Sequence, residues 1–299
     1  MSESHITTLN VELGIAARLG AFIELLKLRL SFLVVFSSAF GYILGSSGSF
    51  EWMSMLMFCL GGFLISGSAV TLNQVSEIEF DRKMKRTKIR PLPTERVSDR
   101  EALIYAVILA ITGTLVLFYF TNTLTTVLSI VSLILYAFVY TPLKRVGPIA
   151  VLVGAIPGAL PPLLGWTAAT GMVSHEALII FGIQFIWQFP HFWAIAWIAD
   201  EDYKKAGFKL LPGNGEKNIN TAFQIMIYTL FLIPLGLLPT VFGLTGVISG
   251  AIATLCGVLF LAQTFRHMKN CNRNTALTIM YSSFLYLPIV QIAYLIDKI

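Results

Sequence analysis

Asn73, Glu77 and Asp81 stand four residues apart in this 299-residue chain, and their types and spacing suit metal chemistry. On a helix, residues so spaced project from nearly one face, one turn above another. Two carboxylates held that close repel, so a positive group is expected between them. A set of oxygen donors suits Mg2+, which keeps several waters and is usually completed by substrate phosphates. The cations Arg82, Lys83, Lys85, Arg86, Lys88 and Arg90 follow at once. A metal-binding face beside a dense cationic segment meets the needs of a diphosphate. Metal ions bridge its oxygens, and cations neutralise the charge that grows as it departs. The plainer alternative is a solvated helix end whose acids pair with Lys83, Lys85 and Arg86. Against it stands the position of Asn73 and Glu77 at the mouth of an apolar span, where ionisable groups are costly and usually functional.

A second acidic cluster, Asp200, Glu201 and Asp202, follows the aromatic run Trp187–Trp197 and leads into Tyr203, Lys204 and Lys205. Two carboxylate clusters on one membrane face would hold two metal ions around one diphosphate. A solvated loop of mixed charge is the alternative.

The elements that must position these groups are membrane helices. Apolar residues make up 56% of the chain and charged ones only 12%, too greasy a balance for a soluble domain of this length. Nine apolar segments are read at 31–45, 52–75, 102–121, 123–141, 149–169, 177–199, 221–241, 247–265 and 276–296, most near the ~20 residues a spanning helix needs. The second is expected to run on as one helix through Thr87, with Pro91 and Pro93 as its first clear stop. All but one of the 21 Lys and Arg fall in the N-terminal tail or in the connections after the even-numbered spans, the exception being Lys298. By the positive-inside rule the N-terminus and those connections are cytoplasmic and the C-terminus lies outside. The net charge of +5 is explained by topology and anionic headgroups, which removes nucleic acid as a partner. Residues Val11 to Leu30 read as an amphipathic helix along the inner surface of the membrane. With Glu3, Glu12 and Glu24 and no compact apolar run, the first thirty residues carry no signal or transit peptide. Cys59, Cys256 and Cys271 lack the spacing of a zinc site or disulfide framework and read as small apolar fillers. His175 and His267 fall in connections and His5 in the tail.

The run Asn73-x3-Glu77-x3-Asp81, with Met84-Lys85-Arg86-Thr87 and Arg90-Pro91-Leu92, resembles the first signature of UbiA-type intramembrane prenyltransferases, usually N-x3-D-x3-D. Glu77 replaces the commoner Asp, keeping the charge on a longer arm. Pro190-His191-Phe192-Trp193, Asp202-Tyr203, Ala206-Gly207, Leu211-Pro212, Tyr140-Thr141-Pro142-Leu143-Lys144-Arg145 and Gly158–Trp166 are similar to blocks of the protoheme IX farnesyltransferase branch. The resemblance implies an all-α polytopic fold, nine helices around a central cavity open to the cytoplasmic side, with residues 1–299 as one membrane domain in a bacterial cytoplasmic membrane. It implies Mg2+ as cofactor and farnesyl diphosphate and heme b as substrates. The farnesyl group alkylates a heme vinyl group and water captures the product, giving heme O. A heme-modifying enzyme or a terminal oxidase assembly is the downstream partner such a product would have. The resemblance assigns Asn73, Glu77 and Asp81 to metal and catalysis, and Arg86, Arg90, Lys144, Asp202, Tyr203 and Lys204 to substrate. The second acidic motif of UbiA-type enzymes, typically D-x3-D, has Ala199 and Tyr203 at the aligned positions, a departure that itself points to the protoheme branch and leaves Asp200 and Asp202 as candidate metal ligands there.

His191 lies about six residues inside its span, roughly 9 Å from the cytoplasmic end. It reads as a hydrogen-bonded core residue, as a ligand or orienting group for heme, or as the base that accepts the final proton. Tyr105, Phe118, Tyr136, Phe138, Trp166, Phe185, Trp187, Phe189, Trp193 and Tyr281 suit, as a set, a cavity for an isoprenoid chain, a flat macrocycle and a carbocation, since ring faces attract cations. Gly154, Pro157, Gly158, Pro161, Pro162 and Gly165 predict close helix contact and a broken or kinked fifth span. Three rivals remain: a UbiA-type enzyme with another aromatic or tetrapyrrole acceptor; a transporter, for which no convincing inverted repeat is found; and a structural partner of a respiratory complex, which gives no reason for the aligned acids of the second span.

Overall fold

The computed structural model describes residues 14–48 and 50–299. Glu3, His5 and the stretch Val11 to Leu13, with Glu12, lie outside the described residues. Within them a short helix α1 (Ile15–Leu25) leads to α2 (Leu28–Gly45), α3 (Trp52–Ser76) with its extension α4 (Ile78–Asp81), and α5 (Asp99–Phe120). The next span is composite: α6 (Thr123–Ile134), a π-helical segment (Leu135–Tyr140) and α7 (Thr141–Leu143). Then come α8 (Ile149–Thr170), α9 (His175–Ile198), the short α10 (Asp200–Lys205), α11 (Ile219–Val241), α12 (Val247–Asn270) and α13 (Arg273–Ile296). Among the described residues nine helices are long and apolar enough to cross a membrane, the count expected, and the protein is an all-α, multi-pass membrane protein.

In runs this apolar, capping side chains set where a helix begins. Ser98, Asn122, Ser174, Asn218 and Asn272 each accept a hydrogen bond from the amide three residues on, and Ser98 with Glu101 completes a capping box. Each cap contributes about 1 kcal/mol. The membrane-facing sides are apolar: Ile104, Ile108, Ile111, Leu115 and Phe118 of α5 are all exposed. Close packing comes from small residues. A Cβ added to Gly41 of α2 would overlap the Pro162 carbonyl of α8, and one added to Gly165 would overlap the Ser38 carbonyl.

Four expectations need correction. Of the two outcomes expected for α8, a break is overturned: it is one continuous helix despite Pro157, Pro161 and Pro162. Pro162 has no N–H to offer the Gly158 carbonyl one turn back, but Gln184 of α9 donates to that carbonyl through Nε2 at 2.9 Å, so the freed group is satisfied from a neighbouring helix. The second span, in contrast, does not run on intact. It breaks at Glu77 (φ −111°, ψ 10°), ends at Asp81, and continues as turns. Thr87 Oγ1 donates to the Asp81 carbonyl at 3.0 Å, and the Arg90 guanidinium folds back onto the Asp81 carboxylate.

The amphipathic lead-in is likewise two pieces. Lys27 adopts a left-handed conformation (φ 47°) between α1 and α2, which costs a non-glycine residue roughly 1–2 kcal/mol. Gln74 Nε2 donates to the Leu25 carbonyl at 2.8 Å and Ser31 Oγ to the Leu26 carbonyl at 2.7 Å, holding the corner. α1 buries Ala21 and Leu25 against Leu92, Val97 and Ala102 and leaves Ile15, Leu19 and Ile23 exposed, as a helix resting on a membrane surface does. Finally, His267 belongs to α12 and is fully buried, its Nδ1 2.8 Å from Thr275 Oγ1 and its ring edge-on to Trp197. The lone cation of the opposite face, Lys298, caps the end of α2 by donating to the carbonyls of Ile43 and Ser46.

Candidate active site

A cavity of about 530 Å³ runs into the helix bundle from the cation-bearing side, lined by residues of α2, α3, the π-helical span, α8, α9 and α13. Asn73, Glu77 and Asp81 all line it, and they are 2%, 4% and 1% exposed. The break at Glu77 therefore does not scatter the three.

Each has a partner brought from elsewhere. Asn73 Nδ2 donates to Thr141 Oγ1 at 3.0 Å, and Lys27 Nζ lies 3.5 Å from Asn73 Oδ1. Lys144 Nζ sits 3.0 Å from Glu77 Oε1 and 3.1 Å from Oε2. Arg90 donates to Asp81 Oδ2 at 2.7 Å. The π-helical segment supplies Tyr136 and Tyr140, and just beyond it Thr141 and Lys144 meet Asn73 and Glu77, with the Lys144 ammonium also 4.7 Å above the Tyr140 ring. Such an inserted residue is frequent at functional sites.

Two carboxylate oxygens remain unsatisfied. Asp81 Oδ1 is buried without a hydrogen-bond partner, and Glu77 Oε1 has only the ion pair with Lys144, whose hydrogen bond goes to Oε2. Orphaned anionic oxygens beside a carboxamide oxygen are the donors a hard, oxygen-seeking cation requires, and they fit Mg2+. Among the described residues no three His, Cys, Asp or Glu side chains converge into a ready-made cage. That suits an ion completed by water and phosphate oxygens. Four cations, Lys27, Arg86, Arg90 and Lys144, line the same rim against two carboxylates. Burial, with the neighbouring charges of Arg90 and Lys144, pushes the Lys27 ammonium down to about 7, against the pull of Glu77 and Asp81. The rim thus carries more positive charge than it neutralises.

Asp200, Asp202 and Lys204 lie outside the cavity lining, whereas Tyr203 is part of it. Asp200 is paired with Lys204 at 2.9 Å and Lys217 at 3.4 Å. Asp202 accepts from the Arg86 amide at 3.2 Å and has Lys205 at 3.7 Å. Although burial raises its pKa, hydrogen bonds from the Lys85 and Arg86 backbone and the Lys205 charge bring it below the usual carboxylate value.

Deeper in, His191 lies buried at the wall. Its ring stacks on Trp187 at 4.7 Å and meets the Phe284 edge at 4.7 Å. Ser283 Oγ gives its proton to the Met280 carbonyl at 2.6 Å, so the 2.8 Å contact between Ser283 Oγ and His191 Nδ1 has the imidazole as donor. That fixes the tautomer and leaves the Nε2 lone pair free. Of the ten aromatics expected around the cavity only Tyr136 and Trp187 line it, and Phe118, Phe138 and Tyr281 face outward. Lys27, Thr141 and Ser283 were missed by sequence reasoning. Lys27 was visible only as a topology marker, and the other two are neutral groups whose partners are distant in sequence.

The sequence profile of the UbiA prenyltransferase family matches residues 34–287. A protoheme IX farnesyltransferase of Cytophaga hutchinsonii is 50% identical over 95% of this chain and 99% of its own length. The fold is similar to a digeranylgeranylglyceryl phosphate synthase structure, with a TM-score of 0.78 at 19% identity, covering 94% of this chain and 98% of that one. It is also similar to a UbiA homolog from Archaeoglobus fulgidus bound to GPP and Mg2+, with a TM-score of 0.65 at 16% identity over 92% and 99% of the two chains.

Proposed function

Because this chain belongs to the UbiA prenyltransferase family, we propose that it transfers a farnesyl group from farnesyl diphosphate to a vinyl group of heme b, with addition of water, giving heme O. It is a membrane prenyltransferase. The observation that carries the chemistry is the orphaned Asp81 Oδ1 beside a buried Glu77 carboxylate held by Lys144 alone, at the rim of an apolar cavity and flanked by surplus cations. The acceptor rests on the likeness to the Cytophaga hutchinsonii protein across nearly its whole length. Residues 1–299 act as one domain, with the cation-bearing side cytoplasmic and the membrane that of the bacterial cytoplasm.

Asn73, Glu77 and Asp81 would hold Mg2+, which when bound neutralises charge growing on the departing diphosphate. Lys27, Arg86, Arg90 and Lys144 contact the diphosphate oxygens and stabilise it as it leaves. Tyr136 and Tyr140 line the cavity near the rim, where aromatic rings stabilise the positive charge that develops on the allylic carbon. The apolar walls keep bulk water from that carbon until the vinyl group has attacked. His191, with Nδ1–H held by Ser283, presents Nε2 to the acceptor and positions the heme through its iron. Asp202 orders the rim by holding the Arg86 amide, and the lysine pairing of Asp200 and Asp202 favours that structural part over direct metal ligation.

Membranes containing the protein, incubated with labelled farnesyl diphosphate, heme b and Mg2+, should yield a heme whose mass has grown by one farnesyl group and one hydroxyl, the water having lost a proton on capture. Label appearing in a different acceptor, with heme b unchanged, would overturn the choice of acceptor and leave the prenyl chemistry standing.

A further inference from the structure

Ionisable groups line the rim and wall of the cavity, but deeper down its polar lining is neutral. Ser37 of α2, Gln184 of α9 and Gln291 of α13 meet there in one buried network and all three line the cavity. Its hydrogen bonds leave no freedom in how the carboxamides point. The Gly158 carbonyl can only accept, so Gln184 turns Nε2 to it at 2.9 Å. Gln184 Oε1 then faces the other two and accepts from Ser37 Oγ at 2.6 Å and from Gln291 Nε2 at 3.1 Å. Gln291 Nε2 also donates to Ser37 Oγ at 2.8 Å. This order forces Gln291 Oε1 outward from the network, and that oxygen is buried without a partner on a residue only 3% exposed. A buried carbonyl oxygen left unpaired is costly, so it is waiting for a donor.

The height of this oxygen in the membrane follows from helix rise. Ser37 is ten residues beyond Lys27 along α2, about 15 Å below the rim at 1.5 Å per residue, and Gln184 is seven residues beyond His191 along α9, about 10 Å deeper than the imidazole. From the centre of a porphyrin to the end of its propionate side chains is a distance of the same order. No cation lines this depth: Lys27, Arg86, Arg90 and Lys144 all belong to the rim. A carboxylate there would be desolvated and uncompensated, and a carboxyl group entering such a place takes up a proton. A protonated carboxyl is an O–H donor, the group Gln291 Oε1 lacks.

Resting on heme b as the acceptor, we propose that Gln291 Oε1, oriented by Gln184 and Ser37, receives the O–H of a protonated heme propionic acid. This subsite fixes the tetrapyrrole with its propionate edge deep in the membrane and a vinyl edge at the rim. The vinyl group then stands beside the allylic carbon, with the iron at the level of His191.

The test compares heme b with its propionate dimethyl ester, which keeps the vinyl groups and iron but has no O–H to give. With the wild-type protein, KM for heme b should rise with pH above the usual carboxylate range, because the acid must be protonated to enter, while KM for the diester stays flat. In Gln291→Met, KM for heme b should rise about tenfold, the effect of one neutral hydrogen bond, while KM for the diester and for farnesyl diphosphate stays unchanged. A wild-type KM for heme b as insensitive to pH as that for the diester would overturn the subsite even if the variant failed to fold. So would a Gln291→Met change that falls on both hemes alike or on farnesyl diphosphate. If the wild type prenylates neither heme, it is the acceptor assignment above that has failed.

Discussion

Lys144 and Glu77 lie 67 residues apart in sequence, yet one ammonium stands within 3.1 Å of both oxygens of one buried carboxylate. The pair ties the composite fourth span to the break in the second. Breaking a buried pair from one side leaves an uncompensated charge, at a cost of about 3–5 kcal/mol. Lys144→Met should therefore lower thermal stability in detergent and raise KM for farnesyl diphosphate. The double variant Lys144→Met, Glu77→Gln should recover most of the stability and none of the activity. Recovery of activity in the double variant would show that the two groups serve only the fold.

Asp81→Asn keeps the shape of the side chain and a partner for Arg90 while removing charge from the orphaned oxygen. Transfer of labelled farnesyl should fall about a hundredfold or more, the scale for losing one preorganised electrostatic group, with membrane insertion intact. Chelation of divalent ions should produce a similar loss in the wild type, reversed by Mg2+. Undiminished turnover of Asp81→Asn at saturating Mg2+ would remove the metal role.

Among the described residues Gln184 is the side-chain donor to the Gly158 carbonyl, and Gln184→Leu withdraws it, for an expected loss of about 1–3 kcal/mol. Adding Pro162→Ala returns an amide N–H one turn away and should restore at least half of that loss. A denaturation series on the two variants reads this directly, and no rescue would mean that the carbonyl is satisfied in some other way.

Burial lowers the pKa of Lys298 below the ordinary 10.5. Between the folded value and 10.5 the unfolded chain holds more protons, so stability should rise with pH across that window and be flat below it. Lys298→Met should abolish the rise and leave the carbonyls of Ile43 and Ser46 without their donor. The check is the thermal midpoint as a function of pH for both proteins.

Much of this protein was legible in its sequence because the membrane makes strong demands. Apolar length fixes the nine spans, and the four-residue spacing picks out Asn73, Glu77 and Asp81, which do share one cavity although the helix that would align them breaks. What escaped was set by partners remote in sequence. Nothing near Glu77 announces that the helix breaks there, since Arg90 and Lys144 draw the acids into place from elsewhere. Three prolines spell a broken or kinked α8, and the hydrogen bond from Gln184, on the next helix, shows how it stays continuous. The aromatics were assigned to the cavity by type alone, but which way Phe118 or Tyr281 faces depends on helix rotation, which composition does not encode. Gln291 and Ser37 carry no charge and belong to no motif, and only the packing of α2, α9 and α13 brings them together.

The π-helical turn at Leu135–Tyr140 has a consequence for how this site tolerates change. One residue fewer would swing everything beyond it by about 100° around the helix axis, carrying Lys144 and Thr141 away from the rim and stranding Glu77 without its counter-ion. Charge balance at the mouth is therefore governed by the length of that turn. Substitutions along its outer face should pass with little effect, whereas a single-codon deletion there should silence the enzyme while every reactive side chain remains encoded.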